Sequence, residues 1–231
     1  NTTTYTDSSV KTGATYYYKV ETIIRSNGNT GYSGDSAAVS GKTVAKTKIN
    51  YVVSTGSRSL EINWNEVSGA YGYRVKRSTS KNGTYKVVAT VTGKSKTTYK
   101  DTKLTAGKTY YYRIETINKV NGKKGYSGSS SPVSGKTLKT TSIMQVKAEN
   151  STSISLTWKK VSGVTGYQIY RSTRKNSGFQ KVATVKEAGT VTYKDTGLDA
   201  GKTYYYKVRA YKSGSQKTGV ASYSAVQKTW T

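Results

Sequence analysis

Cysteine and histidine are both absent from the 231 residues, and proline, phenylalanine and methionine occur once each. Without thiols or imidazoles the chain has no disulfides, no thiolate nucleophile, no histidine base and almost no route to a transition-metal site. Acidic residues are few as well: 11 Asp and Glu stand against 38 Lys and Arg, a formal charge of +27. A carboxylate pair or a Ser-Lys dyad stays chemically open to such an inventory, but no spacing suggests either. No run approaches the ~18 consecutive apolar residues of a membrane span, and residues 1–10 lack the basic-then-apolar order of a secretion signal. Thr, Ser, Gly, Lys and 22 Tyr dominate instead, which fits a β protein with many turns better than a disordered Pro-rich linker.

What is present is organised by an internal repeat at a spacing of 94 residues. Trp64 falls on Trp158, Tyr73 on Tyr167, Tyr99 on Tyr193 and Gly107 on Gly201. Residues 4–22 match 98–116, and 31–43 match 125–137. The chain therefore reads as the back half of one module (1–43), a whole module (44–137) and a second whole module (138–231). Residues 1–43 lack the tryptophan-bearing strand and cannot close a core alone, so the sequence is expected to be a piece of a longer chain, or to borrow strands from another molecule by β-augmentation.

Within a module the period is 2. Leu60, Ile62 and Trp64 alternate with Glu61 and Asn63, and Ile154, Leu156 and Trp158 alternate with Ser155 and Thr157. Such alternation predicts strands with one buried and one wet face. The next strand turns Tyr73 and Val75 inward with Arg74 and Lys76 outward; the strand after Gly107 turns Tyr110, Tyr112 and Ile114 inward with Tyr111, Arg113 and Glu115 outward. Turn signals at Ser68-Gly69, Asn82-Gly83, Thr92-Gly93, Ala106-Gly107 and Asn121-Gly122 separate the runs. Short strands broken in this way predict an all-β, two-sheet sandwich in each module.

The strings GYRVKRS and GYQIYRS, the tryptophans at 64 and 158, and the strings LTAGKTYYYRI and LDAGKTYYYKV carry a family resemblance. The module resembles a fibronectin type III domain of the kind found in secreted proteins of Gram-positive bacteria. That resemblance implies immunoglobulin-like β-sandwiches arranged end to end, with strands E, F and G in residues 1–43. It also implies tyrosine corners at Leu104 with Tyr110, Leu198 with Tyr204, and Val10 with Tyr16. The core set is then Trp64, Tyr73, Leu104 and Tyr110, repeated as Trp158, Tyr167, Leu198 and Tyr204. The family's loop prolines are missing, and so is an Arg-Gly-Asp string, so integrin binding does not follow.

Candidate chemistry is sparse. Asp7, Asp101 and Asp195 recur at one repeat position and read as turn aspartates bonding the backbone two residues on, since no partner carboxylate sits at calcium-loop spacing. Glu61 and Glu66 would make a hydrolytic pair only in one copy, their equivalents being Ser155 and Lys160. No catalytic, cofactor or metal site is expected. The functional candidate is the outward face of strands C and F: Arg74, Lys76, Tyr111 and Arg113 in the middle module, and Gln168, Tyr170, Tyr205, Lys207 and Arg209 in the last. Rings interleaved with cations can grip sugars, bases or anions, while the same residues are also ordinary cross-strand partners on a wet sheet.

Charge is spread unevenly: residues 44–137 hold 18 basic and 4 acidic residues, 138–231 hold 16 and 4, and 1–43 hold 4 and 3. Drift between copies argues against one fixed polyanion site on every module. The joints near 43–46 and 137–140 are short and free of Gly and Pro, which restricts swivelling. The expectation is a non-catalytic, extracellular spacer or adhesion array of a secreted or cell-surface bacterial protein. The alternative is a set of modules that bind a cell-wall polyanion, glycan or protein ligand through the basic, Tyr-bearing face.

Overall fold

The alternating run from Leu60 to Trp64 forms a strand whose inward side chains are fully buried, and the rest of its module assembles around it. In the structure, a computed structural model that describes residues 3–231, every regular element is a strand. The first two residues of the 1–43 segment lie outside the described residues.

That segment contributes β1 (Thr15–Tyr18), β2 (Ile23–Ser26), β3 (Asn29–Tyr32) and β4 (Val39–Lys42). β1 pairs antiparallel with β4, and β2 with β3 through an Asn27-Gly28 turn in which both residues have positive φ. Residues 4–7, expected to form strand E, are not in a strand. In the middle module the matching residues pair with the tryptophan strand, and residues 113–116, which match the gap between β1 and β2, pair with strand C. The segment has neither partner, so those stretches have no ladder to join. Tyr17, Ile23, Ile24 and Val39 are accordingly exposed.

The middle module contains β5 (Ile49–Gly56), β6 (Ser59–Trp64), β7 (Gly72–Ser78), β8 (Lys86–Thr92), β9 (Thr98–Asp101), β10 (Thr109–Val120), β11 (Lys123–Tyr126) and β12 (Val133–Lys136). One sheet runs β5-β6-β9; the other runs β11-β10-β7-β8, with β12 also on β10. The last module repeats this with β13 (Ile143–Asn150), β14 (Ser153–Trp158), β15 (Gly166–Ser172), β16 (Gln180–Val185), β17 (Thr192–Thr196), β18 (Thr203–Lys212), β19 (Gly219–Val220) and β20 (Gln227–Trp230). Its sheets run β13-β14-β17 and β16-β15-β18-β19, with β20 on β18.

Each module closes its own core. Leu60, Ile62, Trp64, Tyr73, Val75, Leu104, Tyr110, Tyr112 and Ile114 form one cluster; Ile154, Leu156, Trp158, Tyr167, Ile169, Leu198, Tyr204, Tyr206 and Val208 form the other. The indole of Trp64 meets Tyr73 edge-on at 5.4 Å, and Trp158 meets Tyr167 at 5.3 Å. Such pairs add about 0.5–1.5 kcal/mol to the area they bury. Gly72 and Gly166 open strand C where a Cβ would strike the carbonyl oxygens of Val91 and Val185, so the β7–β8 and β15–β16 crossings require glycine there.

Buried tyrosine hydroxyls need partners, and these find them. Tyr73 accepts from the Val67 amide and donates to the Lys94 carbonyl. Tyr110, Tyr204 and Tyr16 each accept from the backbone amide five residues before them, at Thr105, Asp199 and Lys11. These are the three tyrosine corners, and they pin the loop before strand F in all three segments.

The joint between the whole modules is clamped by hydrogen bonds. Ser57 and Ser222 exchange amide-to-hydroxyl bonds at 3.0 and 3.1 Å, and the Ser57 hydroxyl lies 2.6 Å from that of Thr140. Ser54 accepts from the Leu138 amide and lies 3.0 Å from the Val220 carbonyl. Lys217, from the last module, reaches Glu61 on β6, which also accepts from Tyr51. Burial opposes ionisation of Glu61, but hydrogen bonds from Lys217 and Tyr51 outweigh it and lower its pKa. The earlier joint is lighter: Asn118 donates its side-chain amide to the Lys42 carbonyl at the end of β4.

Candidate functional site

The recurring aspartates are structural, though two of them not as turn residues. Asp7 accepts from the Ser9 amide, two residues on, and from the Tyr18 hydroxyl. Asp101 instead ends strand β9 and is buried, taking both Arg77 contacts at 3.0 and 2.9 Å and the Tyr112 hydroxyl at 2.7 Å. Asp195 repeats this with Arg171 and Tyr206. Burial, and then the bond to the carboxylate, push the Tyr112 and Tyr206 phenols far up, so both act as neutral donors. Each latch ties one sheet to the other, β9 to β7 and β10 in the middle module and β17 to β15 and β18 in the last. Of the glutamate pair, Glu61 belongs to the joint and Glu66 lies 3.9 Å from Lys94.

The outward C–F face is where the modules part. In the middle module Glu115 was expected to point into solvent; the structure buries it to 6% exposure. It lies opposite Arg74 in the β7–β10 register, and Arg74 and Lys76 both fold over it. Lys76 approaches at 2.5 Å and the Ser129 hydroxyl donates at 2.9 Å. Burial raises the pKa of this carboxyl, but the bonds from Lys76, Ser129 and Arg74 prevail and hold it below the ordinary range. Two of the three cations on this face therefore share one internal carboxylate, and among the described residues Arg113 has no acidic partner. Arg74 also stacks on Tyr126 at 3.5 Å and Arg113 on Tyr85 at 4.9 Å.

In the last module the same four repeat positions, 74, 76, 115 and 129, become Gln168, Tyr170, Arg209 and Tyr223. Arg209 donates through Nε to the Gln168 side-chain oxygen and through Nη2 to the Tyr170 hydroxyl, each at 2.8 Å. Its guanidinium lies 5.2 Å from the Tyr170 ring and 4.8 Å from that of Tyr223. Lys207 sits 4.2 Å from the Phe179 ring and 4.0 Å from Tyr223. Burial, then the neighbouring Arg209 charge, lower the Lys207 pKa. Among the described residues no acidic side chain pairs with Lys207 or Arg209.

The rings in these clusters are Tyr85, Tyr126, Tyr170, Phe179 and Tyr223, not the expected Tyr111 and Tyr205, which lie half-buried across from Ser78 and Ser172. Tyr85 and Phe179 occupy one repeat position, a signal the sequence carried; Tyr223 has Ser129 as its counterpart and left none. Among the described residues no group of three or more acidic side chains could hold a metal, and no helix is long and apolar enough to cross a membrane.

The paired sheets, the tryptophan-centred core and the tyrosine corners define a β-sandwich module of immunoglobulin-like architecture. Residues 141–224 match the family model of the fibronectin type III domain, and that segment is such a domain. The repeat and the matching topology give the preceding module the same fold. The chain is 31% identical over 86 residues to an amylopullulanase of Thermoanaerobacterium saccharolyticum, covering 37% of this chain and 6% of that enzyme. It is 29% identical over 256 residues to exoglucanase B of Cellulomonas fimi, covering 99% of this chain and 22% of the enzyme. It thus spans well under two thirds of these bacterial relatives. A solved structure of the chicken CNTN1 FN1–FN3 domains aligns over 93% of this chain and 75% of its own, with 20% identity and a TM-score of 0.48.

Proposed function

We propose that the chain is a non-catalytic accessory segment of an extracellular, secreted or surface-attached bacterial protein, serving to hold its neighbours at a set distance and orientation. The observation that carries this reading is the clamped joint, where Ser54, Ser57, Thr140, Leu138 and Ser222 interlock two separately closed cores. A short connection alone would limit reach; a hydrogen-bonded one also limits rotation. Supporting it, the chain matches only a small part of two large enzymes. Glu61, Asp101, Glu115 and Asp195 are each tied to a basic side chain, which leaves them poorly placed for acid-base work.

Because the chain has no cysteine, spin labels can be placed cleanly at Lys81→Cys and Lys175→Cys, exposed equivalents in the two whole modules. Pulsed dipolar spectroscopy should give one narrow distance distribution. A broad one, spanning tens of ångströms as for a flexible linker, would overturn the spacer reading.

A further inference from the structure

We propose that the C–F face of the last module, centred on Lys207 and Arg209, binds a carboxylate-bearing polysaccharide. The repeat supplies its own control. In the middle module a carboxylate, Glu115, occupies the centre of the face and gathers Lys76, Arg74 and the Ser129 hydroxyl. In the last module the centre is Arg209, the flanking cations are replaced by Gln168 and Tyr170, and the serine by Tyr223. The four changes remove the internal anion while preserving a set of donors around its place.

Those donors are only partly used. Arg209 engages Gln168 and Tyr170 through Nε and Nη2, and a guanidinium has five N–H groups in a planar fork suited to a carboxylate. Lys207 lies two residues along the same strand, roughly 7 Å away on the same face. Two like charges brought together without a counterion repel, and an incoming anion relieves that repulsion. The rings already meet these cations: Lys207 lies over Phe179 and Tyr223, and Arg209 over Tyr170 and Tyr223. Their role is to desolvate and aim the cations. A carboxylate would supply the counterion that Lys207 and Arg209 lack, whereas a neutral sugar would leave both cations unpaired. An extended acidic glycan also suits an open sheet face. The site does not depend on the joint being rigid, so it stands or falls separately from the spacer reading.

The test is calorimetric titration of the whole chain with polygalacturonate, pullulan, polyphosphate and single-stranded DNA at one fixed ionic strength. Saturable binding of polygalacturonate is expected, weakened about tenfold by Lys207→Gln through loss of one charge-assisted contact. Arg113→Gln, which removes the same charge from the same repeat position of the middle module, should leave the affinity within about twofold. In the unmodified protein, amide shifts on titration should cluster at residues 168–170, 205–209 and 221–224, which keeps the test independent of any variant's folding. Equal weakening by both substitutions would reduce the effect to diffuse basicity and overturn the site. So would equal binding of pullulan, tighter binding of polyphosphate or DNA, shifts spread over both modules, or no saturable binding.

Discussion

The middle and last modules share a core and differ on one face. Trp64 and Trp158, Tyr73 and Tyr167, and the Arg77-Asp101-Tyr112 and Arg171-Asp195-Tyr206 latches are superimposable in role and nearly equal in distance. On the outward C–F face, by contrast, Glu115 with its two cations is replaced by Arg209 with Gln168 and Tyr170. A half-buried charge cannot be reversed alone, because its partners would be left uncompensated. The partners have changed together, and the result is one face whose cations gather around an internal carboxylate and one whose cations have none. The sandwich therefore constrains which positions face inward, while the outward cluster is free to drift as a unit.

Removing a tryptophan tests the shared half of this comparison and has the largest expected effect. Trp64→Ala or Trp158→Ala should cost about 3–5 kcal/mol, enough to unfold a module of ordinary stability. Two-dimensional NMR should then lose the dispersed amides of that module and keep those of its neighbour. Loss of both sets at once would merge the two cores into one cooperative unit.

The latches come next. Asp101→Asn and Asp195→Asn each leave a partly exposed arginine without its carboxylate, and should cost about 2–3 kcal/mol in either module. Denaturant melts that differ widely between the two would break the equivalence.

Glu115→Gln should destabilise the middle module by about 1–2 kcal/mol, with half-buried Arg74 and Lys76 left facing an amide. Arg209→Gln in the last module should cost less, since its hydrogen bonds are to neutral groups. A pH series sharpens the contrast. The folded pKa of Glu115 lies below its unfolded value of about 4.3, so its stabilisation is complete above that value and is lost as pH falls through the folded pKa. The last module has no counterpart and lacks this acid-sensitive contribution. Smallest is Lys217→Ala, an exposed partner worth under about 1 kcal/mol: module stability should hold while the distance distribution across the joint broadens.

The sequence made the sandwich legible because burial imposes a period of 2 and the repeat doubles every signal. It placed Leu60, Ile62 and Trp64 inward, and their counterparts Ile154, Leu156 and Trp158, from alternation alone. It could not place Glu115: alternation puts that residue on the wet face, and only the three-dimensional folding of Arg74 and Lys76 over it makes it buried. Asp101 and Asp195 were readable as structural, but their arginine partners lie 24 residues away in the chain and across the two sheets. The cluster at Lys207 was half visible. Tyr111 and Tyr205 share the outward face but stand opposite small serines; Tyr170 was legible from its place on β15 and Phe179 from its repeat partner Tyr85, whereas Tyr223 replaces a serine and comes from a segment whose approach no local pattern encodes. The joint was legible only as a short connection, since the Ser57–Ser222 bond spans 165 residues.

The central claim is that two closed sandwiches of one design are locked together as a unit. Residual dipolar couplings of backbone amides, measured on the whole chain in a single weakly aligning medium, report the orientation of both modules at once. The account predicts that couplings from 44–137 and 138–231 fit a single alignment tensor. Two tensors of different magnitude or direction would contradict it.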